Sequence, residues 1–275
     1  MSATQFEFLR NVTIGQYLPV DSLVHRSDPR SRILAYLALL VALTITQRPE
    51  GLTLGALAVL AILVIGHIPL RYSLRGLLPP LPFLLLLAIL QLFFHPVHAP
   101  SPILLATGPI VLTLADLLAA GMLLLRFSAL ILCLSLASYT LSPNDLTRGL
   151  EALLRPLTRL GIPVHDFVFV VQITLRYIPL LAQSAEQIAK AQAARGADWD
   201  SKGGNLLKRV RRVLPVLIPL FMLSFQRAEN LALAMDARGY ASLNYRTSLV
   251  ELHFSPHDAL AVLVVLLIAG AILWL

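Results

Sequence analysis

Arg195 and Arg238 hold the same place in two copies of a twelve-residue repeat. Ala185–Gly196 reads AEQIAKAQAARG and Ala228–Gly239 reads AENLALAMDARG, with seven identical positions at a constant offset of 43 residues. Each copy ends in Ala-Arg-Gly: Ala194, Arg195 and Gly196, then Ala237, Arg238 and Gly239. A guanidinium presents a planar fork of N–H donors that matches a carboxylate, so a rigidly held arginine recognises rather than reacts. The glycines supply the rigidity, because the residue that follows a helix commonly takes positive φ. Each arginine is therefore expected at the last helical position, directed outward. One such arginine alone would do no more than complement a helix dipole, an effect of about 0.3–1 kcal/mol. Two copies in one segment point instead to docking on a partner. Ala185, Ala189 and Ala193 share a helical row whose small side chains admit a second backbone. Glu186 and Glu229, nine residues before each arginine, fit a structural pairing better than a partner contact.

Other reactive groups form no constellation. Cys133, the single cysteine, lies in an apolar run and reads as a small hydrophobe. The seven histidines are scattered, and His95-Pro96-Val97-His98 has no carboxylate near it in sequence, so no metal site is expected. No Ser–His, Cys–His or paired-carboxylate arrangement stands out, so the chain reads as non-catalytic and without a cofactor. It also lacks a G-x-x-x-x-G-K-[ST] loop and is not expected to bind ATP by that route, so any energy it uses would come from another polypeptide or an ion gradient. Arg126 falls inside an apolar run, where an unpaired charge costs at least about 2.5–3.5 kcal/mol. It either lines a functional surface or pairs with Asp116 or a backbone carbonyl inside the bundle; the presence of Arg126 and Asp116 inside or near a span would also suit a gradient-driven secondary carrier acting alone.

The elements that must position these groups are membrane helices. Of 275 residues 57% are apolar and 13% charged, against roughly 25% charged in soluble domains. Such a chain cannot cover a soluble core, and its net charge of +7 is a membrane signature rather than a sign of nucleic acid. Apolar runs at Ile33–Gln47, Gly51–Ile68, Leu77–Phe94, within Leu114–Tyr139 and at Asp258–Leu275 give about five spans. The segment before the first span carries four Lys or Arg, the next three connections one, two and none. Alternate connections thus total six against one, which places the N-terminus in the cytoplasm. The expected organisation is an N-terminal cytoplasmic segment 1–30, four transmembrane helices within 31–140, an inserted domain 141–257 and a last span 258–275.

The inserted segment is 117 residues long and carries 14 basic residues. Its pattern is that of amphipathic helices. Ser142-Pro143-Asn144-Asp145 supplies an N-cap, a first-turn proline and an acidic residue, with Leu146, Leu150, Leu153, Leu154 and Leu157 following on one face. Gly161-Ile162-Pro163 breaks this helix. A second begins near His165, bends at Pro179 and ends at Gly196, and a third runs from about Leu206 through Pro215 and Pro219 to Gly239. Lys208-Arg209-Val210-Arg211-Arg212 reads first as an anchor for anionic headgroups and second as a grip on a partner. The fold class is all-α: a polytopic membrane protein with a cytoplasmic or interfacial helical domain before its last span.

The paired Ala-Arg-Gly motifs resemble the signature of the transmembrane T components of energy-coupling factor (ECF) transporters, the EcfT/CbiQ family. Gly15-Gln16-Tyr17-Leu18-Pro19-Val20-Asp21-Ser22, His25-Arg26-Ser27-Asp28-Pro29-Arg30 and Arg176-Tyr177-Ile178-Pro179 resemble it as well. The resemblance covers nearly the whole chain, least clearly Pro96 to Leu118. It implies an ATP-driven importer of a vitamin or transition-metal ion in a prokaryotic cell membrane. In it this chain would link two ATP-binding-cassette (ABC) ATPases to a substrate-binding membrane subunit, the S component. It also implies that the ATPase-coupling residues are Ala194, Arg195, Gly196, Ala237, Arg238 and Gly239, with each arginine docked on one ATPase.

Overall fold

A computed structural model describes residues 18, 20, 22–94, 103–107, 110–196, 206–240 and 254–275. The chain divides into two compact units. One comprises Gly15–Val164 with Leu252–Leu275, the other His165–Glu251 with Met1–Ile14. The segment 141–257 is thus shared between them.

The first unit opens with a helical turn, Leu23–Arg26, and then α1, Pro29–Ile45. Asp28 caps α1 by accepting from the Arg30 N–H at 2.8 Å, and Pro29 fills the first position, where its missing N–H costs nothing. α2, Pro49–Ile65, also starts on proline. The third apolar run is broken. α3, Leu70–Leu77, and α4, Leu81–Phe94, meet at a 56° bend where Pro79 and Pro80 remove two backbone donors. After them comes an antiparallel hairpin, β1 Ile103–Thr107 with β2 Ile110–Thr113, a feature the periodicity did not suggest. Thr113 and Asp116 form a reciprocal capping box that starts α5, Leu114–Thr140. Ser142 caps α6, Pro143–Leu154; a 3-10 segment, Arg155–Leu160, then ends at Gly161 with φ of 83°. A second capping box, Ser255 with Asp258, starts α9, Pro256–Trp274.

Side-chain bonds fix the directions of these helices. α1 and α9 are parallel: the Asp28 N–H donates to Asp258 at 2.9 Å near one end, and the Thr46 hydroxyl donates to the Ile272 carbonyl at 3.1 Å near the other. α5 is antiparallel to α1. Arg32 donates to the Thr140 carbonyl at 2.5 Å, and Arg126 donates to the Thr46 carbonyl. Fourteen residues separate the two contacts on either helix, about 21 Å at the helical rise. The core between these helices holds Leu39, Leu43, Leu52, Val59, Leu63, Leu136 and Ile272, all fully buried.

Apolar packing alone cannot order helices in lipid, where tails are as apolar as leucine; close approach through small residues does. Gly51 and Gly55 provide it on α2. A Cβ on Gly51 would lie 2.5 Å from the Ile272 carbonyl oxygen and 2.7 Å from the Thr46 hydroxyl. α6 behaves likewise. Its buried residues are Thr147 and Gly149, and a Cβ on Gly149 would lie 2.6 Å from Ile33. The leucine face of α6 turns outward instead, with Leu146 and Leu150 exposed.

A buried polar clamp closes one end of the bundle. Arg32, only 6% exposed, bonds the Thr140 carbonyl and lies 3.7 Å from Asp145, while the Tyr36 hydroxyl meets that of Thr140 at 2.8 Å. One guanidinium therefore joins α1, α5 and the start of α6. Arg32→Ala leaves a buried carbonyl without its charged donor and is expected to cost about 2–3 kcal/mol. Thermal unfolding in detergent measures it, with Arg32→Lys intermediate; wild-type melting of the alanine variant would contradict the clamp.

By length and composition α5, α9 and Val164–Ala194 in the second unit can each cross a bilayer, and the bent pair α3–α4 makes a fourth candidate among the described residues. α1 and α2, 17 residues each, are about 25 Å long against a hydrocarbon core of roughly 30 Å. The protein is a helical polytopic membrane protein.

Candidate functional site

The second unit is built on two long helices, α7, Val164–Ala194, and α8, Leu206–Ala237. They carry the repeat, and each ends as the glycine pattern requires. The Gly196 N–H donates to the Ala193 carbonyl at 3.0 Å with φ of 87°. The Gly239 N–H donates to the Asp236 carbonyl at 2.8 Å with φ of 71°. An alanine at either position would strain the backbone in the left-handed region.

Arg195 and Arg238 are exposed, as are Ala194, Ala237 and Gly196, whereas Gly239 is half-buried. The backbone N–H of Arg195 bonds the carbonyls of Ala191 and Gln192, and that of Arg238 the carbonyl of Met235. Among the described residues neither guanidinium has an ion pair, so both forks of donors are presented outward.

Two contacts set the spacing of these tips. The ring of Tyr240, the residue after the second motif, stacks on Phe169 near the start of α7, with centroids 5.0 Å apart. Farther along, Arg227 of α8 reaches the Leu180 carbonyl of α7 at 3.5 Å. The contacts advance along α7 while they retreat along α8, so the helices run oppositely. Arg238 therefore stands by the beginning of α7 and Arg195 at its other end. The 26 residues from Phe169 to Arg195, with Pro179 among them, span at most about 39 Å of helix. Neither Tyr240 nor Phe169 stood out in the sequence, since a stacked pair 71 positions apart leaves no local pattern.

The two copies differ away from their tips. Ala189 is fully buried and Ala185 and Ala193 are half-buried, but Ala228 and Ala232 in the second copy are exposed. Glu186 pairs with Lys190 one turn along α7 at 2.6 Å, a structural use of that carboxylate. Glu229 is exposed. α8 shows an open apolar stripe, with Leu214, Ile218, Phe221, Met222 and Phe225 all exposed.

Arg126 does not pair with Asp116; it donates to the Thr46 carbonyl, and Asp116 serves the α5 capping box. The reason is geometric, because the end of α1 leaves carbonyls without helical partners beside Arg126. Both charges thus have structural partners, which favours the structural reading of Arg126. Cys133 is buried in the core. His95 and His98 lie outside the described residues, as do the side chains of Lys208, Arg209, Arg211 and Arg212. Among the described residues no three His, Cys, Asp or Glu come together as a metal site.

Comparison with known proteins agrees with the motif. Residues 21–249 match the CbiQ family, described as cobalt transport protein. The energy-coupling factor transporter transmembrane protein EcfT of Thermosediminibacter oceani is 37% identical over 96% of this chain and 98% of its own length. EcfT of Heliobacterium modesticaldum is 39% identical over 91% and 92%, and EcfT of Acidaminococcus fermentans 39% over 94% of each chain. With a match across most of its length and two rigid Ala-Arg-Gly tips in place, this chain belongs to the CbiQ/EcfT family, the transmembrane T components of energy-coupling factor transporters.

Proposed function

We propose that this chain couples two ABC ATPases to a substrate-binding S component in the import of a vitamin or transition-metal ion. ATP would be bound by those partners and not by this chain. Arg195 and Arg238 each dock on one ATPase, with Ala194, Gly196, Ala237 and Gly239 shaping the tips. The observation that carries this is the pair of outward guanidinium groups at opposite ends of an antiparallel helix pair. One tip alone could hold one partner. Two tips tens of ångströms apart suit two similar partners, and closure of an ATPase pair would then work on both helices together.

The direction of the spans supports a cytoplasmic place for the arginines. Parallel α1 and α9 require an odd number of crossings from the first to the last of them, and the five apolar runs of the sequence, at α1, α2, the α3–α4 pair, α5 and α9, meet that requirement. If α7 crossed alone, α9 would run the other way. A non-crossing α7 and α8 share their side with the N-terminus, which the Lys and Arg distribution assigns to the cytoplasm. The exposed apolar stripe of α8 offers a surface to the S component or to the bilayer boundary.

The test is purification of the tagged full chain from its native membranes in mild detergent. Two ABC ATPases and a small membrane protein are expected to accompany it. Substrate uptake by the chain alone in proteoliposomes, driven only by an ion gradient, would overturn the proposal.

A further inference from the structure

The geometry points to a binding site for one anionic phospholipid on α3, in the leaflet at the Thr140 end of α5. Helix α3 sits against α5 by its small face. Ser73 is fully buried, a Cβ on Gly76 would lie 3.2 Å from the Ser135 hydroxyl, and the Tyr139 hydroxyl donates to the Tyr72 carbonyl at 3.2 Å. That seat fixes α3 beside the end of α5, and the 56° bend into α4 turns it away from the direction of the span.

The opposite face of α3 is the unusual one. Arg71, Leu74, Arg75 and Leu78 recur at helical spacing, and all four are exposed. With Leu77 and Leu81 they line a cleft of about 370 Å³ that straddles the bend. The Arg75 guanidinium lies 5.7 Å from the centre of the exposed Tyr72 ring, which holds it at the cleft. Among the described residues neither Arg71 nor Arg75 has an ion pair. Two uncompensated guanidinium groups one turn apart, above a leucine-lined cleft, match one phosphodiester headgroup and its acyl chains. An acidic peptide would answer the arginines but leave the leucines facing lipid, and a free anion would leave the cleft unfilled.

The test uses the full chain in detergent, titrated with phosphatidylglycerol or phosphatidylcholine and read by native mass spectrometry. One phosphatidylglycerol is expected to bind in preference to phosphatidylcholine, with affinity falling about fivefold for each of Arg71→Gln and Arg75→Gln. Arg71→Lys with Arg75→Lys should keep most of the preference. Arg159→Gln, an exposed arginine elsewhere, should leave it unchanged. Size-exclusion profiles and melting confirm that each variant is folded. Unaltered phosphatidylglycerol binding in the double Gln variant would overturn the site. Displacement of the lipid by millimolar glycerol phosphate would reduce it to an anion site and reject the lipid. Loss of ATPase association with intact lipid binding would assign the arginines to a protein partner instead.

Discussion

Arg195→Ala combined with Arg238→Ala is expected to abolish uptake and strip the ATPases from the membrane chain, which should still insert and melt as wild type. Both side chains are exposed and take no part in ion pairs among the described residues, so their removal costs the fold little. Their removal from a partner is another matter. An arginine desolvated against a partner's carboxylate commonly accounts for about 2–5 kcal/mol on truncation, much of it from the partner group left unpaired. Each single variant should therefore weaken ATPase association by roughly 30-fold or more. The double variant should lose more than either, because a second attached tip raises the effective concentration of the first. Lysine should rescue poorly, as it lacks the planar fork. Co-purification with radiolabelled uptake in the same cells decides the matter, and a double variant that transports normally would leave the tips without a coupling role.

The second large effect concerns packing within the bilayer. Gly51→Ala is expected to lower stability by about 2–3 kcal/mol, since the new methyl would meet the Ile272 backbone rather than a movable side chain. Gly55→Ala should cost less, because the atom in its way is the end of the Leu43 side chain. At Gly270 nothing lies within 4 Å, and Gly270→Ala should be neutral or gain up to about 1 kcal/mol from helix propensity. The ordering of the three by thermal unfolding in one detergent is the measurement. Equal melting of Gly51→Ala and Gly270→Ala would show that α2 and α9 do not approach so closely.

Local chemistry was the legible part of this molecule. Asp28-Pro29 and Ser142-Pro143 start helices because cap and proline effects act over three residues, and Gly196 and Gly239 take positive φ for an equally local reason. The apolar runs became helices within a few residues of their expected limits. Lipid is what hid the rest. Leu37 is 55% exposed and Leu39 fully buried on the same helix, and hydropathy cannot separate a leucine that faces lipid from one that faces protein. For that reason the leucine face of α6 was a poor guide, and Thr147 and Gly149 mark its packed side. Gly51-x-x-x-Gly55 is a local signal of close helix approach, and both positions bear it out. Arg126 had a readable type but an unreadable partner, since Thr46 lies 80 residues away. The hairpin strands Ile103–Thr107 and Ile110–Thr113 are two short apolar runs in the sequence, too brief to separate from a loop by periodicity.

The parallel pairing of α1 with α9 also sets a timetable for the ribosome. Asp28 waits for Asp258, 230 residues downstream, and Gly51 waits for Ile272. At translation speeds of roughly 5–20 residues per second, α1 spends about 10–50 s in the membrane before its neighbour is made. In that interval its polar end, with Asp28 and Arg32, has only α5 and α6 for company. Premature termination before α9 would thus release an inserted but unsealed bundle, a natural substrate for membrane proteases.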